Sequence, residues 1–387
     1  MNEPTRQFIT ENLSADVRNL ALKKVPADVD LPLALRQIEA RQMLQKKVPS
    51  WSENDDLLFP VHLSIEQCSS EATANYKANL LKGTIFADLT GGLGIDSHFF
   101  AKHFGQAHYV EMKPELCEIA RHNFAVLQSP IQVWNETAES FLSHCGPMDC
   151  IFIDPARRDQ YGRKTVSISD CTPDVVQLQE ILLEKAETVM IKLSPMLDIS
   201  KALSELKNVK EVHIVAVTNE CKELIFILER GFEGNVRFVC ANLLSRQPQM
   251  EFTLEEEQDS VLALADGVKR YLYEPNAAVM KGGFFKSLAK RTNTFKLHKN
   301  SNLYTSDIFI PDFPGRIFEV EGWAHYNKKV KQVLLEGVEK ASIAVRNFPL
   351  SVAELRKTLK IADGDETFLF ATTLKGEEKV LIKTKKA

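Results

Sequence analysis

The chain has 387 residues, 44% of them hydrophobic and 26% charged, with 48 Lys+Arg against 52 Asp+Glu. That balance suits a soluble globular protein of two or three domains and excludes a disordered or fibrous chain. No run approaches the roughly 20 apolar residues of a membrane span. The start, Met1 to Arg6, lacks the charged-then-apolar layout of a secretory signal, and the seven cysteines form no C-x-x-C pair; a cytoplasmic protein with no disulfide and no bound metal is expected.

Residues 1–66 place Val17, Leu20, Ala21 and Val25, then Leu31, Leu35, Ile38, Met43 and Leu44, at helical spacing, which predicts a helical N-terminal region. Leu57-Leu58-Phe59-Pro60-Val61 interrupts it. Ser69 to Leu81 reads as a further helix that leads into a strand, so Gln67, Ser69 and Lys77 would border whatever that strand carries. Over 67–245 strand-like runs at 85–89, 107–111, 131–134, 151–154, 188–193 and 212–217 alternate with helix-like blocks at 96–104, 114–127, 136–143, 173–186 and 198–206. Such alternation predicts an α/β domain with a mostly parallel, doubly wound sheet. Two last runs, 224–228 and 236–240, have no helix between them and are expected to finish the sheet as an antiparallel hairpin. Past Ser245-Arg246-Gln247-Pro248 and Glu255-Glu256-Glu257 the alternation stops. Residues 246–387 then read as an α+β region of short pieces.

The first strand ends as Phe86-Ala87-Asp88-Leu89-Thr90-Gly91-Gly92-Leu93-Gly94-Ile95-Asp96-Ser97. An acid followed by glycines opening a helix is the form of a nucleotide-cofactor loop, since glycine allows positive φ and close backbone approach. A dinucleotide fingerprint requires G-x-G-x-x-G, and Gly92-Leu93-Gly94-Ile95-Asp96-Ser97 lacks the third glycine. An S-adenosylmethionine (SAM) loop has the form D-x-x-x-G-x-G, which Asp88, Gly92 and Gly94 match. The second strand ends at Glu111-Met112, ahead of a helix that starts with Pro114. A carboxylate there can accept both hydroxyls of a ribose; an acid at that place also favours the positive end of the helix. The third marker, Cys150-Ile151-Phe152-Ile153-Asp154-Pro155-Ala156-Arg157-Arg158, is another apolar strand ending in an acid. In open α/β sheets the ligand crevice lies beyond the carboxyl ends of the strands, so the three markers converge on one site.

Charge is unevenly spread. Residues 281–387 hold 20 Lys+Arg against 12 Asp+Glu, a net of +8, which leaves −12 for residues 1–280. A basic segment attached to a group-transfer enzyme points to nucleic acid, and equally fits a solvated lysine-rich surface.

With these motifs in place the chain resembles class I SAM-dependent methyltransferases, and within them the bacterial group with a C-terminal THUMP-like domain. The resemblance rests on Gln67-Cys68-Ser69-Ser70-Glu71, the Asp88–Gly94 loop, Asp154-Pro155-Ala156-Arg157-Arg158, Lys192-Leu193-Ser194-Pro195, Tyr271–Asn276, Phe313–Arg316 and Arg346-Asn347-Phe348-Pro349. It implies a Rossmann-like domain with SAM as cofactor, a ferredoxin-like segment near 270–318 and a THUMP-like module near 319–387. THUMP domains proper bind RNA in RNA-modifying enzymes, which makes RNA the implied partner.

The resemblance also implies roles. Asp88, Thr90, Gly91, Gly92, Gly94 and Asp96 would form the cofactor loop, with Asp88 at the pocket floor; Glu111 and Met112 would hold the ribose. The acid that usually meets the adenine is replaced here by Thr137, with Asn135, Glu136 and Ala138 beside it. Asp154-Pro155-Ala156-Arg157 resembles the Asp/Asn-Pro-Pro-x signature of enzymes that methylate planar nitrogen, which assigns Asp154, Pro155 and Arg157 to catalysis and Asp154 also to the cofactor pocket. Arg157 stands where that signature has an aromatic, and a guanidinium can stack on a base or pair with phosphate. Carbon-five pyrimidine chemistry needs a cysteine after strand five, where this chain has Lys192-Leu193-Ser194-Pro195. Methylation of an RNA base nitrogen is the expectation; methylation of a protein or small molecule, and a SAM- or RNA-binding module without turnover, stay open beside it.

Overall fold

The computed structural model describes residues 1–60, 62–157 and 168–387, with the side chains of residues 62–64 and Arg157 outside that description. The chain divides into two compact units: Met1–Val212 with Glu223–Gly234, and His213–Lys222 with Asn235–Ala387.

The first unit opens with helices Glu3–Glu11, Val17–Leu20 and Leu31–Leu44. Ile9, Leu20, Ala34 and Ile38 form their shared core, as the apolar spacing requires. The helix before the first strand is Glu71–Ala78, shorter than the 69–81 expected. Ser70 accepts the Thr73 N–H and so fixes its start.

Four strands then alternate with helices: β1 (Gly83–Asp88), β2 (Phe104–Val110), β3 (Ile131–Trp134) and β4 (Met148–Ile153). The two-residue strands β5 (Ala156–Arg157) and β6 (Cys171–Thr172) pair with each other outside the main sheet. β7 (Ala186–Leu193) is parallel to β4, as β4 is to β1, β1 to β2 and β2 to β3. Phe86 to Leu89 and Cys150 to Ile153 are buried without interruption, the pattern of parallel strands covered on both faces.

β8 (Val209–Val217), β9 (Glu220–Glu229), β10 (Arg237–Leu243) and β11 (Met250–Thr253) complete a nine-stranded sheet of order β11-β10-β8-β9-β7-β4-β1-β2-β3. β9 runs antiparallel to β7. The terminal hairpin differs from the expectation: β9 pairs with β8 through the turn Thr218-Asn219, and β10 lies beyond β8. Both turn residues have positive φ, 47° and 68°, the conformation that matches strand twist in a two-residue hairpin. Thr-Asn lacks the Asn-Gly signature of such a turn, which is why the sequence pattern did not show it.

The second unit carries a seven-stranded sheet made of β12 (Tyr271–Pro275), β13 (Phe295–His298), β14 (Ser301–Ser306), β15 (Gly315–His325), β16 (Ser342–Arg346), β17 (Phe368–Thr373) and β18 (Lys379–Lys386), in the order β13-β14-β12-β15-β18-β17-β16. Its two faces serve two cores. Phe368 and Phe370 of β17 pack with Leu272, Leu303 and Phe318, while Leu369 and Ala371 pack with Leu355 and Leu359 of the helix Val352–Leu359. This is the period-two alternation of a strand covered on both sides. Among the described residues no helix is long and apolar enough to cross a membrane, and no group of three or more His, Cys, Asp or Glu is arranged to hold a metal ion.

Candidate functional site

The carboxyl ends of β1, β2 and β4 lie side by side, and backbone hydrogen bonds continue past them. Leu89 N donates to Phe152 O at 3.0 Å, Gly91 N to Val110 O at 3.0 Å and Glu111 N to Trp134 O at 3.1 Å. Asp88, Glu111 and Asp154 are thereby held at one sheet edge.

Asp88 is 1% exposed. Its carboxylate accepts the Ser97 hydroxyl at 2.6 Å and the Thr90 N–H at 3.0 Å. Burial pushes its carboxyl up to about 7 against those two bonds, which favour the ionised form. Thr90 joins two strand ends, because its Oγ1 also accepts the Asp154 N–H at 2.6 Å.

The glycine loop has internal reasons for its glycines. A Cβ on Gly91 would lie 2.2 Å from the ring of Tyr109, a fully buried side chain whose hydroxyl donates to Gly92 O at 2.6 Å. Gly94 has φ +86° and would set a Cβ 2.8 Å from Phe124. A Cβ on Gly92, at φ +53°, meets only Thr90 O at 3.7 Å. Glu111 is half-buried and braces the same loop: Oε2 accepts Gly92 N–H at 3.1 Å and Oε1 accepts Lys113 N–H at 2.9 Å. Met112 is exposed beside it. Asn135 fixes this turn by donating to Glu111 O at 2.9 Å and Met112 O at 3.1 Å. Thr137 is exposed and caps the helix Ala138–His144, whose first residue, Ala138, is buried.

Asp154 forms a short ion pair with Lys192 of β7. Burial works to lower the Lys192 ammonium, but Asp154, then Glu223 and Asp96, carry it above the ordinary lysine range. Pro155 is buried. The side chain of Arg157 and all of Arg158 lie outside the described residues, so the arginines of this motif have no geometry here.

Beneath the loop lies a polar knot that the sequence only bordered. Lys77 is fully buried and pairs with Glu223 at 3.0 Å and Asp96 at 3.1 Å. Its Nζ also donates to Ser69 Oγ at 2.8 Å, and that hydroxyl donates to Asp96 at 2.7 Å. Ser69 and Lys77 are thus placed under the helix Ile95–Ala101 that follows the glycines. Glu223 escaped sequence reasoning; its one signal is an acid at the mouth of the apolar run 224–228. Buried Cys150, at the centre of β4, has its thiol pushed well up by burial, the opposite of what a nucleophile needs.

A family model for a ferredoxin-like domain matches residues 271–314, and one for a THUMP-like domain matches residues 315–386. No curated protein matches the chain. The crystal structure of a candidate methyltransferase from Porphyromonas gingivalis W83 is 35% identical, with a TM-score of 0.88 over 99% of this chain and 97% of that one. Two weaker, part-length likenesses cover 41% of this chain: an rRNA methylase of Streptococcus thermophilus (15% identity, TM-score 0.31, 94% of that chain) and a candidate methyltransferase of Streptococcus mutans in complex with SAH (13%, 0.31, 96%). The chain belongs to the family of class I methyltransferase-like proteins that end in a ferredoxin-like and a THUMP-like domain.

Proposed function

We propose that this chain binds SAM at the carboxyl edge of its parallel strands and methylates a nitrogen of an RNA base. The observation that carries the reading is the Asp154–Lys192 pair, held beside the glycine loop by the Thr90 hydroxyl. When bound, SAM supplies an electrophilic methyl group.

The residues present fit that cofactor. Each Glu111 oxygen accepts one backbone N–H and keeps a second lone pair for a ribose hydroxyl. Gly92 is the loop position where a ligand can approach the backbone, since Gly91 and Gly94 are committed to Tyr109 and Phe124. Asp88, sealed under the loop, serves as floor and anchor.

On the acceptor side, Lys192 engages Asp154 Oδ2, and Oδ1 accepts an N–H of the target base. That bond turns the nitrogen lone pair toward the methyl group, so the catalytic effect is positioning. Arg157 remains part of this proposal as a base- or phosphate-contacting residue.

RNA is favoured by the basic C-terminal segment and its THUMP-like match. One observation favours a protein or small-molecule acceptor: several of those cations are spent on surface acids, as in Lys383–Glu321, Lys385–Glu319 and Lys375–Asp266.

Radiolabelled methyl transfer from SAM to total RNA of a strain lacking the gene tests the reading, with an Asp154→Ala control. Label in one RNA class that disappears in the control is expected, and nucleoside digestion then identifies the atom. Label in protein or metabolite fractions, or none despite bound SAM, contradicts it.

A further inference from the structure

Three segments marked in the sequence, Tyr271–Asn276, Phe313–Arg316 and Arg346–Pro349, lie in the second unit. The second unit brings them to one carboxylate. Glu274 of β12 is 4% exposed and stands opposite Arg316 of β15 in the strand register. Arg316 Nε donates to its Oε2 at 2.8 Å, with a second, short bond from Nη2. From the end of β16, Arg346 Nη2 donates to Oε1 at 2.6 Å.

The surrounding motif residues build this arrangement. A Cβ on Gly315 would sit 2.0 Å from Glu274 O, so only glycine lets β15 approach β12 there. Phe313 is buried against the rings of Tyr273 and Tyr304, and Asn276 N donates to Pro314 O at 2.9 Å. The turn that delivers Arg316 is therefore fixed from both sides.

One cation suffices to neutralise one buried carboxylate. Here there are two, so the cluster carries a net charge of +1, and the Arg316 and Arg346 side chains remain 42% and 38% exposed. Guanidinium groups present donors in a planar fork that matches two oxygens of a phosphate. The charge selects the kind of phosphate: a diester carries one negative charge and balances the cluster, whereas a phosphomonoester approaches −2 near neutral pH. We propose that Arg316 and Arg346, oriented by Glu274, form a subsite for one internal phosphodiester of the RNA. This rests on the RNA reading above.

The test is binding of fluorescently labelled total small RNA by the full chain, read by anisotropy from about 50 to 200 mM salt. Arg316→Gln and Arg346→Gln are each expected to weaken binding about tenfold and to lower the slope of log K against log salt by about one. The double variant should lower the slope no further, because both side chains serve one phosphate. Arg346→Lys should keep the slope and lose affinity, and it retains the charge on Glu274 should the glutamine variant fold poorly. Variants that bind as the parent does overturn the subsite alone. A parent chain that binds no RNA overturns the subsite and the RNA reading together.

Discussion

Among the described residues each unit holds a buried knot of charge, and the two knots are opposite in sign. In the first, one cation, Lys77, lies between two carboxylates, Asp96 and Glu223. In the second, one carboxylate, Glu274, lies between two guanidinium groups. The net charges are −1 and +1. Their exposure differs as much as their sign: Lys77 has no accessible side-chain surface, whereas both arginines are over one-third exposed. A sealed knot contributes through stability, since removing one member strands the others in a low dielectric. An open knot has donors left for a ligand and little stability at stake.

Five variants test the two knots and the loop above the first. Lys77→Met removes the cation bonded to both Glu223 and Asp96 and should cost about 3–5 kcal/mol in chemical denaturation, with part recovered in Lys77→Met/Glu223→Gln. A second effect, on the order of a few kcal/mol, concerns Asp88. Its folded carboxyl titrates near 7 against a reference of 3.8. Between those values the folded chain keeps a proton that the unfolded chain has released. Stability from this group is therefore complete below about 4, falls as pH rises toward 7 and is flat above. Asp88→Asn keeps a carbonyl for the Thr90 N–H and turns its amide N–H toward the Ser97 hydroxyl, which can accept, and should flatten the melting temperature over that window; a wild-type profile parallel to the variant's would refute the burial argument.

Gly91→Ala forces a methyl group into the Tyr109 ring and should cost about 1–3 kcal/mol, with SAM affinity reduced as the loop shifts. Equal stability of Gly91→Ala and the parent would show that Tyr109 moves freely. The smallest effect is Arg346→Gln, about 0–1 kcal/mol on unfolding; a loss as large as that of Lys77→Met would make the second knot structural and remove the contrast.

Much of the first unit was legible in the sequence because its signals are local. Apolar runs ending in Asp88, Glu111 and Asp154 announced parallel strands, and the glycines announced the loop between β1 and its helix. What escaped depends on distant partners. Lys77 and Glu223 are 146 residues apart, and no periodicity links them. Gly91 answers to Tyr109 as well as to any ligand, a constraint visible only once β1 and β2 are paired. The β8–β9 hairpin was missed because Thr218-Asn219 adopts positive φ without glycine. In the second unit the motifs could be marked, but their convergence on Glu274 required the register of β12 and β15.

SAM binding at the strand edge is measured most directly by titration calorimetry of SAM into the full chain, beside Glu111→Gln. The prediction is one site per chain in the parent and affinity lowered about tenfold or more in the variant, as expected for hydrogen bonds to a charged group. No heat of binding in the parent, or equal affinity in the two proteins, would contradict it.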